Sequence, residues 1–281
     1  MVSPILFYGC EVWGMRPIEP IERFYRCFLK YVLKVKSSTP DCYVYGELGV
    51  FPLFIERYSR VMSYWADIVS CAGSKKPFVF NVYKELYLLS IEKPTVKTWA
   101  TSIRDVLNKC GMGDYWLRQN VSNKANFLSC FNRIMKDMYM QEWSAKVENS
   151  SSGRIFKYIK IEFKFENYLD LLDRNIRICL TKIRLSSHTF YIERGRWDNI
   201  ESEDRKCSAC GVLEDEYHCL IKCINYINER RNLLPEKMLL NPSYYDFLQM
   251  FKNDDVNVLR NLGKLCLRVM AEHRRGLYLE I

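Results

Sequence analysis

The sequence predicts a mainly α protein, with a bundle-like helical N-terminal part followed by a smaller α-rich C-terminal domain. Three observations lead to this class. Apolar residues recur every three or four positions along much of the 281-residue chain. The segments that carry this period are separated by clusters of Pro, Gly, Asn and Ser, which end helices. Hydrophobic residues at 48% and charged residues at 27% are the ordinary balance of a chain that folds around a core, which argues against wholesale disorder.

The first predicted helix carries Ile18, Ile21, Tyr25, Phe28, Val32 and Val35 at spacings of three and four, which would make one buried face. "STPDC", Ser38 to Cys42, stops it: Pro40 disfavours helix at Thr39 and has no N–H to donate. A second helix runs from about Pro52, a good first-turn residue, to the break between Cys71 and Pro77. Two more follow at about 78–91 and 96–110, then a longer one at about 123–147. "ENSSSG", Glu148 to Gly153, is the most linker-like stretch. The next fifteen residues, Arg154 to Tyr168, show both strand-like alternation (Ile159, Ile161, Phe163, Phe165) and helical spacing, so both remain open. "RNIRICLTKIRLSS" reads as a short helix, Asn241–Pro242 as a polar turn, and Val256 to His273 as a closing helix. The resulting division is 1–72, a helical segment; 73–150, a helical connector; and 151–281, the C-terminal domain.

The chain has twelve cysteines. "MVSPILFYGC" lacks a basic n-region and its apolar run is short, so secretion is not expected. No stretch approaches the roughly 18 to 20 apolar residues that span a bilayer, so no membrane partner is expected. The expected location is intracellular, cytoplasmic or nuclear, where clustered cysteines are more often ligands than disulfides. Cys27, Cys130, Cys179 and Cys266 stand alone in apolar contexts and read as small core residues.

"KCSACGVLEDEYHCLIKC", Lys206 to Cys223, is different. Cys207, Cys210, His218 and Cys223 give the spacing C-x2-C-x7-H-x4-C. Two close pairs separated by a short loop suit four tetrahedral S and N ligands, the arrangement zinc favours. Gly211 suits the tight backbone of a metal knuckle, and the acidic "LEDE" reads as solvated loop leading into a helix that carries His218 and Cys223. A redox pair at C-x2-C needs a thioredoxin-like strand and helix, and none precedes it. Four protein ligands leave no open position for water, so one structural Zn²⁺ ion is expected to organise a zinc knuckle within the α-rich C-terminal domain rather than do chemistry. Cys219 reads as a core thiol.

These residues and their neighbours resemble the C-terminal region of non-LTR (LINE-type) retrotransposon reverse transcriptases. "TKIRLSSHTFYIERGRW" (Thr181–Trp197), then "EDRKCSAC" and "EDEYHCLIKC", is similar to that family's short helix, S-S-H segment, I-E-x-G-R turn and zinc-binding motif. "SPILFYGCEVWG" (Ser3–Gly14) resembles the segment after the polymerase palm, and "STPDCYVYGELGVFPL" (Ser38–Leu53) a segment near the thumb. "VLRNLGKLCLRVMAEHRR" near the end also fits, while 72–149 matches least. The resemblance implies a thumb-like segment at 1–72 and a polymerase domain upstream of Ser3, where the paired magnesium-binding aspartates of nucleotidyl transfer would lie. The only Asp-Asp, Asp254-Asp255, has one residue too many after Phe251 and reads as a polar loop or helix N-terminus. A non-catalytic fragment is therefore expected. The x7 loop is also three residues longer than in retroviral zinc knuckles, so their grip on RNA is not carried over.

Forty-two Lys+Arg against thirty-three Asp+Glu leave a net charge of +9, which suits a polyanionic partner without requiring one. Arg23, Arg26, Lys30 and Lys34 fall on one helical stripe. It is either a solvated face or a phosphate track, and the resemblance to a thumb favours the track. Arg194, Arg196, Arg205 and Lys206 lead into the knuckle, and Arg230 and Arg231 follow it. Such cations can hold backbone phosphates or stack on unpaired bases of RNA or DNA. Tyr191 and Trp197 could stack as well, and His188 reads as a turn or capping residue. The competing reading is a zinc-stapled structural or protein-interaction module that binds no nucleic acid.

Overall fold

The computed structural model describes residues 3–16, 18–70, 77–150 and 152–279. The protein is mainly helical, and the described residues form no β-strand, only isolated bridges. In chain order the helices are α1 Ser3–Leu6, α2 Cys10–Trp13, α3 Glu19–Leu33, α4 Asp41–Leu48, α5 Leu53–Ser70 and α6 Pro77–Glu92. There follow α7 Trp99–Lys109, α8 Gly113–Arg118, α9 Lys124–Glu148, α10 Phe156–Ile159, α11 Tyr168–Leu171 and α12 Arg174–Arg184. The last are α13 Tyr191–Arg194, α14 Ile227–Leu233, α15 Tyr244–Phe251 and α16 Val256–Leu279. Local chemistry sets several starts. Thr98 and Thr101 form a reciprocal capping box at α7, and Ser243 and Asp246 form one at α15. The Asn123 carboxamide accepts from the Asn126 N–H at the start of α9.

The chain divides into two compact units, 1–25 with 51–143, and 26–50 with 144–281. Both are discontinuous, unlike the sequential division drawn from the sequence at 72 and 150. Linker composition marks where a chain can loosen, whereas a compact unit depends on which distant segments pack together. The "ENSSSG" stretch shows the distinction: the Tyr43 hydroxyl donates to the Ser152 carbonyl, so this part of it is packed. Break signals at Cys71–Lys76 lie outside the described residues.

The first unit is centred on aromatic residues. Trp65 of α5 is fully buried, stacks with Trp116 at 6.4 Å and donates to the Tyr83 hydroxyl at 2.9 Å. That hydroxyl in turn donates to Gln119 at 2.5 Å, so the polar atoms carried into this core are satisfied. Arg57, also buried, donates to the carbonyls of Gly14 and Arg16 and to Glu22, and Glu22 accepts the Leu53 N–H at the head of α5.

Glu22 also corrects the predicted face of α3. The inward residues are Glu22, Leu29 and Leu33, while Phe28 and Val32, expected inside, are each 49% exposed. The helix carries apolar side chains on almost every side, so two stripes satisfy the three-and-four spacing. The clamp made by Glu22 decides between them. Phe24 and Tyr31 join Phe28 and Val32 on the exposed side.

In the second unit, α12 and α16 share the most extensive helix–helix contact among the described residues, and Ile176, Leu180 and Ile183 of α12 and Leu262, Leu265 and Val269 of α16 are all buried. Gly263 permits that approach, since a Cβ there would sit 2.4 Å from Ile176 Cγ2. Arg184 is buried beside Glu47, with Nε donating at 2.6 Å, and its Nη1 caps the Phe251 carbonyl at 3.0 Å. Tyr168 donates to the same carboxylate at 2.6 Å. A buried pair with this many hydrogen bonds offsets much of its desolvation cost. In the ambiguous Arg154–Tyr168 stretch, Phe156–Ile159 is helical, Tyr168 begins α11, and Phe165 makes a single antiparallel bridge with Leu48. Cys179 and Cys266 are core residues as expected; Cys130 is half-buried and Cys27 is exposed, against expectation.

Candidate metal centre

The cysteine cluster is built in the second unit from a backbone knuckle and a widened helical turn. An antiparallel bridge between Lys206 and Leu213 closes the knuckle, with Cys207 N–H donating to Val212 O at 2.7 Å and Gly211 N–H to Cys207 O at 2.8 Å. Gly211 has φ +69°, a left-handed conformation that costs glycine little. The turn points Cys207 and Cys210 inward together.

The other two residues come from His218–Lys222, which forms a π-helical turn closed by Cys223 N–H donating to His218 O at 2.7 Å. The sequence leads to the expectation of ordinary helical turns here. At 3.6 residues per turn, positions five apart lie about 140° apart around an α-helix. The wider i→i+5 turn brings His218 and Cys223 back towards one side, and such turns occur frequently at functional sites. The Asp215 carboxylate accepts the His218 N–H at 2.8 Å and fixes where the turn begins.

One ligand atom from each of Cys207, Cys210, His218 and Cys223 lies within 4.8 Å of every other. The Cys223 sulfur is 3.9 Å from both the Cys207 and Cys210 sulfurs. A tetrahedral zinc with bonds of about 2.3 Å to sulfur requires S···S edges of about 3.8 Å. His218 Nε2 is buried without a hydrogen-bond partner, as a nitrogen reserved for a metal would be. Burial also lowers the His218 pKa, favouring the neutral imidazole that ligates. Burial, with the neighbouring Cys207 and Cys210, pushes the Cys223 thiol up, so the thiolate form calls for a cation beside it. The four residues thus lie close enough to bind a metal ion, in an arrangement compatible with zinc. Cys219 points into the core, 1% exposed.

The acidic loop is not solvated as predicted. Glu214 and Glu216 are buried, each against a histidine. Glu216 faces His188 Nε2 at 3.0 Å and Glu214 faces His273 Nε2 at 2.8 Å while accepting the Tyr191 N–H at 2.7 Å. His188 Nδ1 accepts the Phe190 N–H, which leaves Nε2 as the protonated nitrogen towards Glu216. These carboxylates tie the metal loop to the S-S-H turn and to α16. Sequence reasoning gave His188 a structural role and missed Glu214, Glu216 and His273. The only signal was that two of the three histidines lay outside the cluster.

The predicted cations fall into separate groups. Arg205 donates to the carbonyls of Ile192 at 2.8 Å and Ile200 at 2.9 Å, and buried Arg230 donates to the Cys223 carbonyl at 2.6 Å. Arg230 thus braces the backbone of the centre and Arg205 that of the α13 turn leading into it, so the fold already engages both guanidinium groups. Arg26 and Lys30 share Asp41 at 3.1 and 2.7 Å, and Lys34 lies over the Tyr31 ring at 3.7 Å. Arg194 stacks on Tyr191, and Arg196 pairs with Glu193 at 3.4 Å. Arg23, Lys206 and Arg231 are exposed, and so is Trp197. Asp254 and Asp255 lie in the exposed loop that runs into α16, where Asp255 accepts the Asn257 N–H, in keeping with the polar-loop and helix-N-terminus readings of the sequence. No helix among the described residues is long and apolar enough to cross a membrane. Comparison with known protein families, curated proteins and solved structures gives no match to this chain.

Proposed function

We propose that the chain is a non-catalytic nucleic-acid-binding module, similar to the C-terminal part of a LINE-type reverse transcriptase, in which one structural Zn²⁺ held by Cys207, Cys210, His218 and Cys223 stiffens a basic surface for RNA or DNA. The observation that carries this reading is the closed Cys3His cluster with exposed Lys206 beside it and exposed Arg231 in α14 just beyond it. A rigid knuckle fixes the cations before a phosphate arrives, so less side-chain and loop freedom is lost on binding. With four protein ligands the ion has no open coordination position, so it organises structure. A polymerase domain, where present in the same protein, would supply the chemistry. Filter binding of the full chain to RNA and to a primer–template duplex at several salt concentrations tests the proposal. Affinity should fall steeply as salt rises, and affinity flat across salt would sink it.

A second reading has its own support. The exposed row Phe24, Phe28, Tyr31 and Val32 on α3, together with the engagement of Arg26 and Lys30 by Asp41, fits a helix that meets protein rather than phosphate. In that reading zinc only staples the helices. RNA binding unchanged in a folded variant with Lys206 and Arg231 reversed to glutamate would favour it.

A further inference from the structure

A cavity of about 290 Å³ lies in the second unit between the loop that follows α3 and the turn that follows α13. Lys36, Ser38, Ser186, Glu193, Arg196 and Trp197 are among its lining residues. It is separate from the metal centre, none of whose four residues lines it. Its size is that of a small-ligand pocket, large enough for one nucleotide and too small for a duplex.

The chemistry of the lining is mixed in a particular way. Trp197 lies at this cavity with 66% of its surface exposed, although a bare indole face in water gains from being covered. Lys36 and Arg196 supply two cations. The Lys36 ammonium donates to the His188 carbonyl at 2.5 Å, and its backbone N–H donates to the Ser187 hydroxyl at 2.7 Å. One end of Lys36 is therefore anchored to the S-S-H turn while further ammonium donors remain. Glu193 is the unusual member. It is 9% exposed, and its two carboxylate oxygens have Arg196 only at 3.4 and 3.5 Å, too long for strong hydrogen bonds. Burial raises its pKa, as expected for a carboxylate short of donors.

We infer that this cavity binds a single unpaired guanine nucleotide of a nucleic-acid strand. The base stacks on Trp197, its N1–H and N2–H donors meet the two oxygens of Glu193, and its phosphate lies against Lys36 and Arg196. An ionised carboxylate accepts and never donates, so it selects an edge with two adjacent N–H donors. Among the bases only guanine presents such an edge when unpaired; adenine and cytosine each offer one amino group beside an acceptor. Stacking on an aromatic ring with a hydrogen-bonded base edge is the general way in which single strands are read. The inference rests on the nucleic-acid reading above and narrows it to one subsite.

The test uses the full chain and labelled nine-nucleotide uridine tracts whose central residue is guanosine, inosine, adenosine or cytidine, followed by fluorescence anisotropy. Guanosine is expected to bind about tenfold more tightly than adenosine or cytidine, with inosine, which lacks the N2 amine, between them. Trp197→Ala, a change at an exposed position that should not disturb folding, weakens every oligonucleotide several-fold. Glu193→Gln, which keeps the side-chain shape, removes the preference for guanosine while binding remains. Equal affinities for all four tracts, or a preference that survives Glu193→Gln, would overturn the inference and leave the salt-sensitive reading standing. Failure of every tract to bind at low salt would overturn both.

Discussion

Cys210 is half-buried, whereas Cys207, His218 and Cys223 are buried, so it is the position where a ligand can be removed with the least damage to packing. On the zinc proposal, Cys210→Ser is expected to lower metal content from one ion per chain towards none and to unfold the region after about Thr181. Elemental analysis of reduced protein and thermal melts followed by circular dichroism check this, and an unchanged melting point with no zinc in either protein would remove the metal from the account. The reason for a large effect lies in three thiols and an imidazole sharing one buried point. Without a cation, each thiolate would repel the others.

A second residue makes a pH prediction. Burial pushes the Tyr83 hydroxyl up to about 12, against about 10 for an unfolded tyrosine. Between those values the unfolded state releases a proton that the folded state keeps, so stability falls as pH rises through that window. The fall attributable to this group is at most about 1.4 kcal/mol per pH unit. Urea midpoints at pH 9, 10 and 11 should drop more steeply for the native chain than for Tyr83→Phe. A parallel decline in both would show that this hydroxyl is not the cause.

Among the elements, the α12–α16 pair shows how a single missing side chain sets a helix distance. Gly263 lies inside a long helix, where glycine costs about 1 kcal/mol relative to alanine. The cost persists because Ile176 Cγ2 occupies the space a Cβ would need. Gly263→Ala is expected to destabilise by about 1 to 2 kcal/mol net, the overpacking exceeding the gain in helix propensity. The cost of Gly263→Ala should be smaller in a chain that already carries Ile176→Ala, which removes Cγ2; urea denaturation of the double-mutant cycle reads this coupling, which distant substitutions do not show. At α3 the pattern of apolar residues predicted a helix correctly and its inward face wrongly. Periodicity reports which side is most apolar, while the clamp of Glu22 on Arg57 and the head of α5 depends on a residue thirty-five positions away. The π turn at His218–Lys222 was likewise hidden, because a five-residue ligand spacing does not say which helix will close it.

For the molecule as a whole, the question is which cations remain available once the fold has used its share. Of the stripe on α3, Arg26 and Lys30 meet Asp41, and of the cations around the centre, Arg205 and Arg230 hold backbone carbonyls. Reversing Arg205 or Arg230 would therefore test folding. Reversing exposed Lys206 and Arg231 together to glutamate tests binding: RNA affinity should drop at least tenfold at low salt. The slope of log affinity against log salt should fall by about two if each contacts one phosphate. Zinc content and circular dichroism should stay unchanged.

The sequence by itself determined the mainly α class, the approximate span of the long helices, and a four-residue set whose spacing alone pointed to one ion. Those properties are local: helical period, breakers and ligand spacing are all written within about twenty-five residues of chain. The tertiary structure alone decided the two discontinuous units, the inward face of α3, the burial of Glu214 and Glu216 against histidines fifty-nine and twenty-eight residues away respectively, and which arginines are already engaged. Each of these depends on partners brought together by packing, and a buried charge chooses its neighbour by distance in space, which no local pattern encodes.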